Sequence, residues 1–397
     1  MKNIAIIHSN MEIGGAETSL IGLLQSLDYS KVSVTLFLYE TTGSMLSFVP
    51  KQVAVKPAGE KYEALVSPIK TAIRKGYFLI AASRLLAKAV CAAKNKFRHY
   101  TDLGYIVKQR SHYYALPFLP QLDGEYDLAI SFNDPHFILS KKINAKKKLG
   151  WFHTDFSRIT TDSKLEEKMW STLDGVITVS EQCKKAFDEK HPTLQDKSVV
   201  IENILSKAFV EKRAEEITVD EMKKEAGENV LLSVGRFSKA KNFDNVPEIC
   251  SLLRQQGLNV KWYLVGYGGD EELIKSKIAE AGMQEYVIVL GKKENPYPYI
   301  KACDVYVQPS RYEGKAVTVR EAQILNKPVV ITAFETSASQ LTDGFDGVIV
   351  PMDNEGCANG IAAVLRNREL QQKLIGNTKK TDYTNSAEIE KLYRMVE

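Results

Sequence analysis

The 397-residue chain is short of cysteine, and the five it has are scattered: Cys91, Cys183, Cys250, Cys303 and Cys357. Their number is odd and no two form a Cys-x-x-Cys pair. A disulfide framework is therefore not expected. This usage fits reduced thiols and sets the expectation of a cytoplasmic protein. A zinc site needs clustered Cys or His ligands, and the sequence has no such cluster. Long apolar runs are also missing. The longest, residues 77–93, is broken by Arg84 and Lys88, which makes it a poor bilayer span. Charge of one sign is lacking overall, since the formal net charge is only +4. Nucleic-acid binding thus has no compositional support. The chain opens with Met-Lys-Asn and passes directly into Ile4-Ala5-Ile6-Ile7, read as a strand in preference to a secretory signal.

What is present is an alternation of short apolar runs with amphipathic stretches. Residues 4–8 predict a buried strand. Glu12-Ile13-Gly14-Gly15-Ala16-Glu17 follows, then a helix periodic in Leu20, Leu23, Leu24 and Leu27, then a strand over 32–39. This β-loop-α-β order opens a doubly wound sheet. Further strands are predicted at 128–131, 148–152 and 176–179, with Ser180 capping the next helix. A domain boundary is expected at 205/206. Beyond it, residues 218–226 predict a charged helix. Strands then recur at 230–234, 261–265, 287–290, 305–308, 329–331 and 348–350. Two successive αβ halves predict an α/β protein of two facing Rossmann-like domains.

Between Lys61 and Tyr100 the texture changes. Lys61, Lys70, Arg74, Lys75, Arg84, Lys88, Lys94, Lys96 and Arg98 stand against one acid, Glu63. Ile69, Ile73, Tyr77, Ile80, Leu85, Leu86 and Val90 interleave at roughly helical spacing. One or two basic amphipathic helices are expected, within an insertion over about 60–115. They form either a solvated excursion of the first domain or a docking face for an anionic membrane surface through residues 61–100.

Four motifs bear on chemistry. In Gly235-Arg236-Phe237-Ser238-Lys239-Ala240-Lys241-Asn242 a strand ends and a glycine turns the chain. Arg236 and Lys241 can then converge beyond the carboxyl edge of the sheet, where open α/β sheets bind ligands. An Arg fork and a Lys point charge together suit a diphosphate. The second motif is Leu264-Val265-Gly266-Tyr267-Gly268-Gly269-Asp270. It comes too late in its domain for a dinucleotide fingerprint, so Gly266 is read as permitting close approach of a base or ribose. The third is Ser310-Arg311-Tyr312-Glu313-Gly314-Lys315 with Glu321 eight residues beyond Glu313. A helix N-terminus here offers N–H groups to phosphate. Glu321 is placed to accept bonds from vicinal hydroxyls, as on a ribose, and Glu313 to meet sugar hydroxyls. The fourth comprises Gly14-Gly15, which opens a helix toward a phosphate, and Trp151-Phe152-His153-Thr154-Asp155, which brings His153 to a sheet edge. Each motif taken singly reads equally well as ordinary surface or core.

As an ordered set, the motifs resemble the GT-B glycosyltransferases, in particular the retaining group called family 4. The Glu-x7-Glu motif falls on Glu313 and Glu321, the Gly-Arg…Lys motif on Gly235, Arg236 and Lys241, and the Gly-Gly-Ala-Glu motif on Gly14 to Glu17. The resemblance is weakest over residues 50–125. It implies the GT-B fold, two facing Rossmann-like domains with an interdomain cleft. Residues 1–205 would form the acceptor domain and 206–380 the donor domain, with 381–397 returning as a helix to the first. The donor would be a nucleotide-sugar, most simply UDP-linked. The acceptor would be a saccharide, lipid-linked if the basic insertion meets membrane.

The resemblance also implies roles. Arg236 and Lys241 would neutralise the donor diphosphate, Glu321 would hold the ribose, and Glu313 and His153 would meet the donor sugar. The family often has Phe-Gly after Glu-Gly, where this chain has Lys315-Ala316. That departure and the Trp-Phe-His-Thr-Asp run point to polysaccharide enzymes of the capsule or cell surface, with Lys315 reaching a phosphate or an acidic sugar. The sequence has no Asp-x-Asp pair, so metal-independent transfer with no cofactor is expected, Arg236, Lys241 and the helix end carrying the electrostatic work. Two alternatives are a nucleotide-sugar 2-epimerase of related fold and a non-catalytic nucleotide-sugar-binding protein; a phosphorylase lacks a cofactor-lysine context.

Overall fold

The computed structural model describes residues 1–98, 103–132, 135–153 and 161–396. The chain divides into two compact units, Met1–Ile204 together with Ser386–Glu397, and Leu205–Asn385. The first unit is built on seven strands: β1 (Lys2–His8), β2 (Val32–Leu38), β3 (Ala54–Pro57), β4 (Glu125–Phe132), β5 (Asn144–Phe152), β6 (Gly175–Thr178) and β7 (Ser198–Val200). They lie in the order β3-β2-β1-β4-β5-β6-β7, every pair parallel. Ile4, Ala5, Ile6 and Ile7 of the central strand are all at most 1% exposed. Such unbroken apolar runs suit a parallel sheet covered on both faces.

The second unit carries β8 (Asn229–Val234), β9 (Val260–Val265), β10 (Val287–Gly291), β11 (Val305–Gln308), β12 (Val329–Thr332) and β13 (Val348–Val350). Their order is β10-β9-β8-β11-β12-β13. The order reverses between β8 and β11, which pair directly through Leu231 with Val305. The loops leaving these two strands, which carry Gly235–Lys241 and Ser310–Lys315, therefore emerge side by side. A reversal of this kind is where doubly wound sheets bind ligands.

Three local expectations are corrected. Residues 218–226 are not helical. Tertiary partners override their helix propensity. Met222 is buried, Glu221 accepts from Tyr299 and Lys293, and the Lys224 ammonium pairs with Asp304, whose carboxylate also takes the Val230 N–H. The helix nearby is instead Lys207–Ala214, capped by Ser206 accepting from Phe209 N at 3.2 Å. Strands β3 and β7 were not foreseen. β3 is an exposed edge, Ala-Val-Lys-Pro, without an apolar run, and β7 covers only Ser198–Val200, at the start of the apolar run Val199-Val200-Ile201.

The basic insertion has four helices, Glu60–Val66, Ile69–Arg74, Phe78–Arg98 and Gly104–Ala115, more than the one or two expected. Pro68 and Gly76, whose φ is +84°, punctuate the first three. Arg84 does not break its helix, because its guanidinium turns inward to the carbonyls of Ala64 and Ser67. The last helix, Ile389–Val396, is fastened to the first unit. Tyr393 Oη accepts from Asp28 N at 2.7 Å, and Lys391 Nζ donates to the Val200 carbonyl at 3.1 Å. All five cysteines lie among the described residues, are buried, and none is in a disulfide.

Candidate functional site

At the carboxyl edge of the second sheet, Lys241 Nζ donates to Glu313 Oε1 at 2.6 Å. The pair is mostly buried, with side-chain exposures of 17% and 11%. The same carboxylate oxygen accepts from Ser310 Oγ at 2.5 Å and Gln308 Nε2 at 3.1 Å. Lys241 arrives there by running over Gly235, where an added Cβ would stand 3.1 Å from Lys241 Cε. Arg236 is exposed, and no side-chain partner engages it among the described residues. Two sequence-predicted groups are thus in contact, and a third faces solvent beside them.

The loop bearing Lys241 is held from β11. Arg311, which sequence reasoning did not single out, makes a two-pronged bond with Asp244 at 2.8 and 2.7 Å, and one prong also reaches the Lys239 carbonyl. Such fork geometry fixes orientation as well as charge. Asn242 adopts a left-handed conformation (φ 60°) and donates to the Pro309 carbonyl at 2.9 Å. Gly266 has φ +154°, and an added Cβ would fall 1.8 Å from the Gly235 carbonyl oxygen. Gly268 meets the Phe237 carbonyl in the same way, and Phe237 N donates to Tyr267 O at 2.9 Å. What approaches these glycines is neighbouring backbone, which places the Arg236 turn.

Glu321 lies on the helix Val317–Ile324 and is 3% exposed. Tyr297 Oη donates to its Oε1 at 2.9 Å. Burial pushes the Glu321 carboxyl up to about 7, and the Tyr297 bond only partly opposes this. The helix start has no side-chain cap, and Ala316 N is held by Gln340 Oε1 at 2.7 Å. Gly314 joins Glu313 to Lys315, which is 7% exposed and donates to the Ser339 carbonyl at 2.6 Å. The lysine that the sequence pointed toward a substrate anion is here turned into its own domain. Thr336 Oγ1 meanwhile bonds the Glu313 carbonyl.

In the first unit, Gly14 caps the helix Gly15–Ser26 in extended conformation. An added Cβ on Gly14 would sit 2.3 Å from Glu17 Oε2, so the Glu17 carboxylate occupies the helix mouth where a phosphate was expected. Glu17 Oε1 lies 3.0 Å from His8 Nε2, while His8 Nδ1 donates to the Phe132 carbonyl at 2.7 Å. The Phe132 ring packs tilted against the His153 ring, with centroids 4.5 Å apart. His153 is partly exposed, but its Nε2 is buried and lacks a hydrogen-bond partner. Burial, with His8 and His136 nearby, drives the His153 pKa down to about 3 against a bond with Asn203, so the imidazole is neutral at physiological pH. Asn203, another residue not read from sequence, also accepts from Ser19 Oγ at 2.9 Å. Thr154 and Asp155 lie outside the described residues.

Among the described residues no three His, Cys, Asp or Glu side chains converge as metal ligands, and no helix is long and apolar enough to cross a membrane. Residues 215–381 match the family described as Glycosyl transferases group 1. The second unit carries a glycosyl transferases group 1 domain. The chain is 29% identical over 143 residues to the amylovoran biosynthesis glycosyltransferase AmsK of Erwinia amylovora, covering 34% of each chain. It is 28% identical over 144 residues to the N-acetylgalactosamine-N,N'-diacetylbacillosaminyl-diphospho-undecaprenol 4-alpha-N-acetylgalactosaminyltransferase of Campylobacter jejuni, covering 36% of this chain and 39% of that one. The chain thus spans little more than a third of the length of these relatives. The structure of HepE from Anabaena in complex with UDP and glucose matches over 100% of both chains, with a TM-score of 0.67 at 17% identity. The fold is GT-B.

Proposed function

We propose that this protein is a glycosyltransferase that moves a hexose from a nucleoside diphosphate donor, UDP-linked, onto a saccharide acceptor in cell-surface polysaccharide biosynthesis. The observation that carries the reading is the meeting of Lys241 with Glu313 at the sheet edge, with Arg236 open beside them and an uncapped helix start nearby. An ammonium has three donors. Lys241 can hold Glu313 and still reach a phosphate oxygen. Arg236 and the helix N–H groups add positive potential where charge builds on the departing diphosphate. Glu321 receives the ribose hydroxyls. The resemblance to family 4 gives His153 the role of meeting the donor sugar, and a neutral imidazole adds no positive charge beside an oxocarbenium-like centre. The reading includes transfer with retention of anomeric configuration, as in family 4, and no requirement for a metal.

Support for the substrates comes from relatives and neighbours. HepE was solved with UDP and glucose, AmsK is named for amylovoran biosynthesis, and the Campylobacter relative is named for a diphospho-undecaprenol-linked saccharide. We accordingly take the acceptor to be lipid-linked and met at an anionic membrane surface through residues 61–100, on the cytoplasmic side. A thermal-shift screen with UDP, GDP, ADP and CMP tests the donor class, because a ligand that binds only the native state raises the melting temperature. UDP should give the largest rise. No rise with either UDP or GDP would sink the reading.

A further inference from the structure

The helix Phe78–Arg98 buries one face and leaves an apolar one uncovered. Ile80, Ala81, Ala87 and Cys91 point inward and are at most 2% exposed. On the outer side Phe78 is 64% exposed, Leu79 60%, Leu85 50% and Leu86 53%, with Ala82, Ala89 and Ala92 continuing the stripe in the open. With Ile73 these make five of the eleven large hydrophobic side chains exposed among the described residues. Concentration of that kind marks an interaction surface, since exposed apolar residues are otherwise scattered singly. Leu79 and Leu86 also line an open groove of about 650 Å³ completed by Tyr113, Leu116, Pro117 and Phe118.

Charge distinguishes among occupants. Lys61, Lys70, Arg74, Lys88 and Lys96 are exposed, and no carboxylate pairs with them among the described residues. The acids close by are engaged: Glu63 takes Lys75 at 2.6 Å and Glu60 takes the Tyr77 hydroxyl. An apolar stripe flanked by unneutralised lysines matches an acyl boundary below anionic headgroups. A second copy of the same surface would bring lysine against lysine.

We infer that the outer face of Phe78–Arg98 lies in the interface of an anionic phospholipid bilayer, with Phe78, Leu79, Leu85 and Leu86 sunk among the acyl chains. This deepens the membrane contact in the proposed function and rests on it only for its purpose, because lipid binding needs no donor.

The full chain, without nucleotide, is sedimented with phosphatidylcholine vesicles and with vesicles containing phosphatidylglycerol. It should pellet with the anionic vesicles and at least tenfold less with the neutral ones. The doubly exposed variant Leu79→Ser/Leu86→Ser should lose anionic binding about tenfold at unchanged melting temperature. Lys70→Gln/Lys88→Gln should lose it severalfold, and more so at low salt. Equal pelleting of the leucine variant and the parent would overturn the inference. So would a dimer in analytical ultracentrifugation that the leucine variant abolishes, which would assign the face to a second copy. Calorimetric UDP affinity, expected to be the same in all variants, keeps this outcome separate from failure of the donor-site reading.

Discussion

Lys241 and Glu313 lie 72 positions apart in the chain and share a 2.6 Å hydrogen bond across the point where the strand order of the second sheet reverses. Only one oxygen of Glu313 is used. Lys241, Ser310 and Gln308 all converge on Oε1, so the carboxylate is held in orientation and Oε2 is left for another partner. A resting ion pair of this kind keeps both side chains in place before a ligand arrives, which is the preorganisation that electrostatic catalysis needs.

Replacing Lys241 by Ala removes one cation from the proposed diphosphate site and leaves Glu313 on its two neutral donors. We predict a fall in turnover of roughly 100- to 1000-fold, the loss typical when one preorganised transition-state donor is removed. The melting temperature should move little. Steady-state rates with a UDP-sugar and an acceptor check this; turnover within threefold of the parent would remove Lys241 from the chemistry.

Glu321 ties stability to pH. Burial raises its folded-state pKa from 4.5 to about 7. Between those values the folded protein binds more protons than the unfolded chain, so this group lowers stability as pH rises through the window. The cost is complete above pH 7 and amounts to roughly 3 kcal/mol at most. Glu321→Gln should therefore be more stable than the parent at pH 8, with the gain vanishing below pH 4.5, while UDP affinity at pH 8 drops. Urea midpoints at the two pH values, with calorimetry at the higher, decide it. A variant less stable at pH 8 would contradict the assignment.

Gly266→Ala addresses the loop contact. The residue combines φ +154° with a carbonyl oxygen 1.8 Å from where a Cβ would go, and backbone cannot yield as a side-chain tip does. A loss of more than about 2 kcal/mol is expected from strain of this class, read as a lower denaturant midpoint. Gly269→Ala, with nothing within 4 Å of its Cβ, should be close to neutral. Equal effects from the two would show that the loops can separate.

Metal removal is the remaining test. With Arg236, Lys241 and the helix start supplying positive potential, we predict that excess EDTA leaves the transfer rate within twofold of its untreated value. A rate that collapses on chelation and returns with magnesium or manganese would falsify the metal-free mechanism.

The fold was legible in the sequence because parallel strands buried on both faces have to be continuous apolar runs. The strand predicted over 305–308 and that over 348–350 match β11 and β13 residue for residue, and the remaining central strands were found with only their ends displaced. β3 escaped because Ala-Val-Lys-Pro carries no such run, whereas β7 begins the short apolar run Val199-Val200-Ile201, which was not read as a strand. The charged segment 218–226 misled because its helix propensity yields to Asp304, Lys293 and Tyr299, partners that no local window contains.

By itself, the sequence determined the residue types and the βα order, and hence that Gly235–Lys241 and Ser310–Glu321 would leave the ends of strands in one sheet. Tertiary structure alone decided that β8 and β11 are neighbours, that Lys241 meets Glu313 while Lys315 turns away to Ser339, and that Glu17 covers Gly14. It also decided which face of Phe78–Arg98 stays bare. Pattern along a chain reports burial and turning, but the partner of a charged side chain depends on which strands pair across long separations.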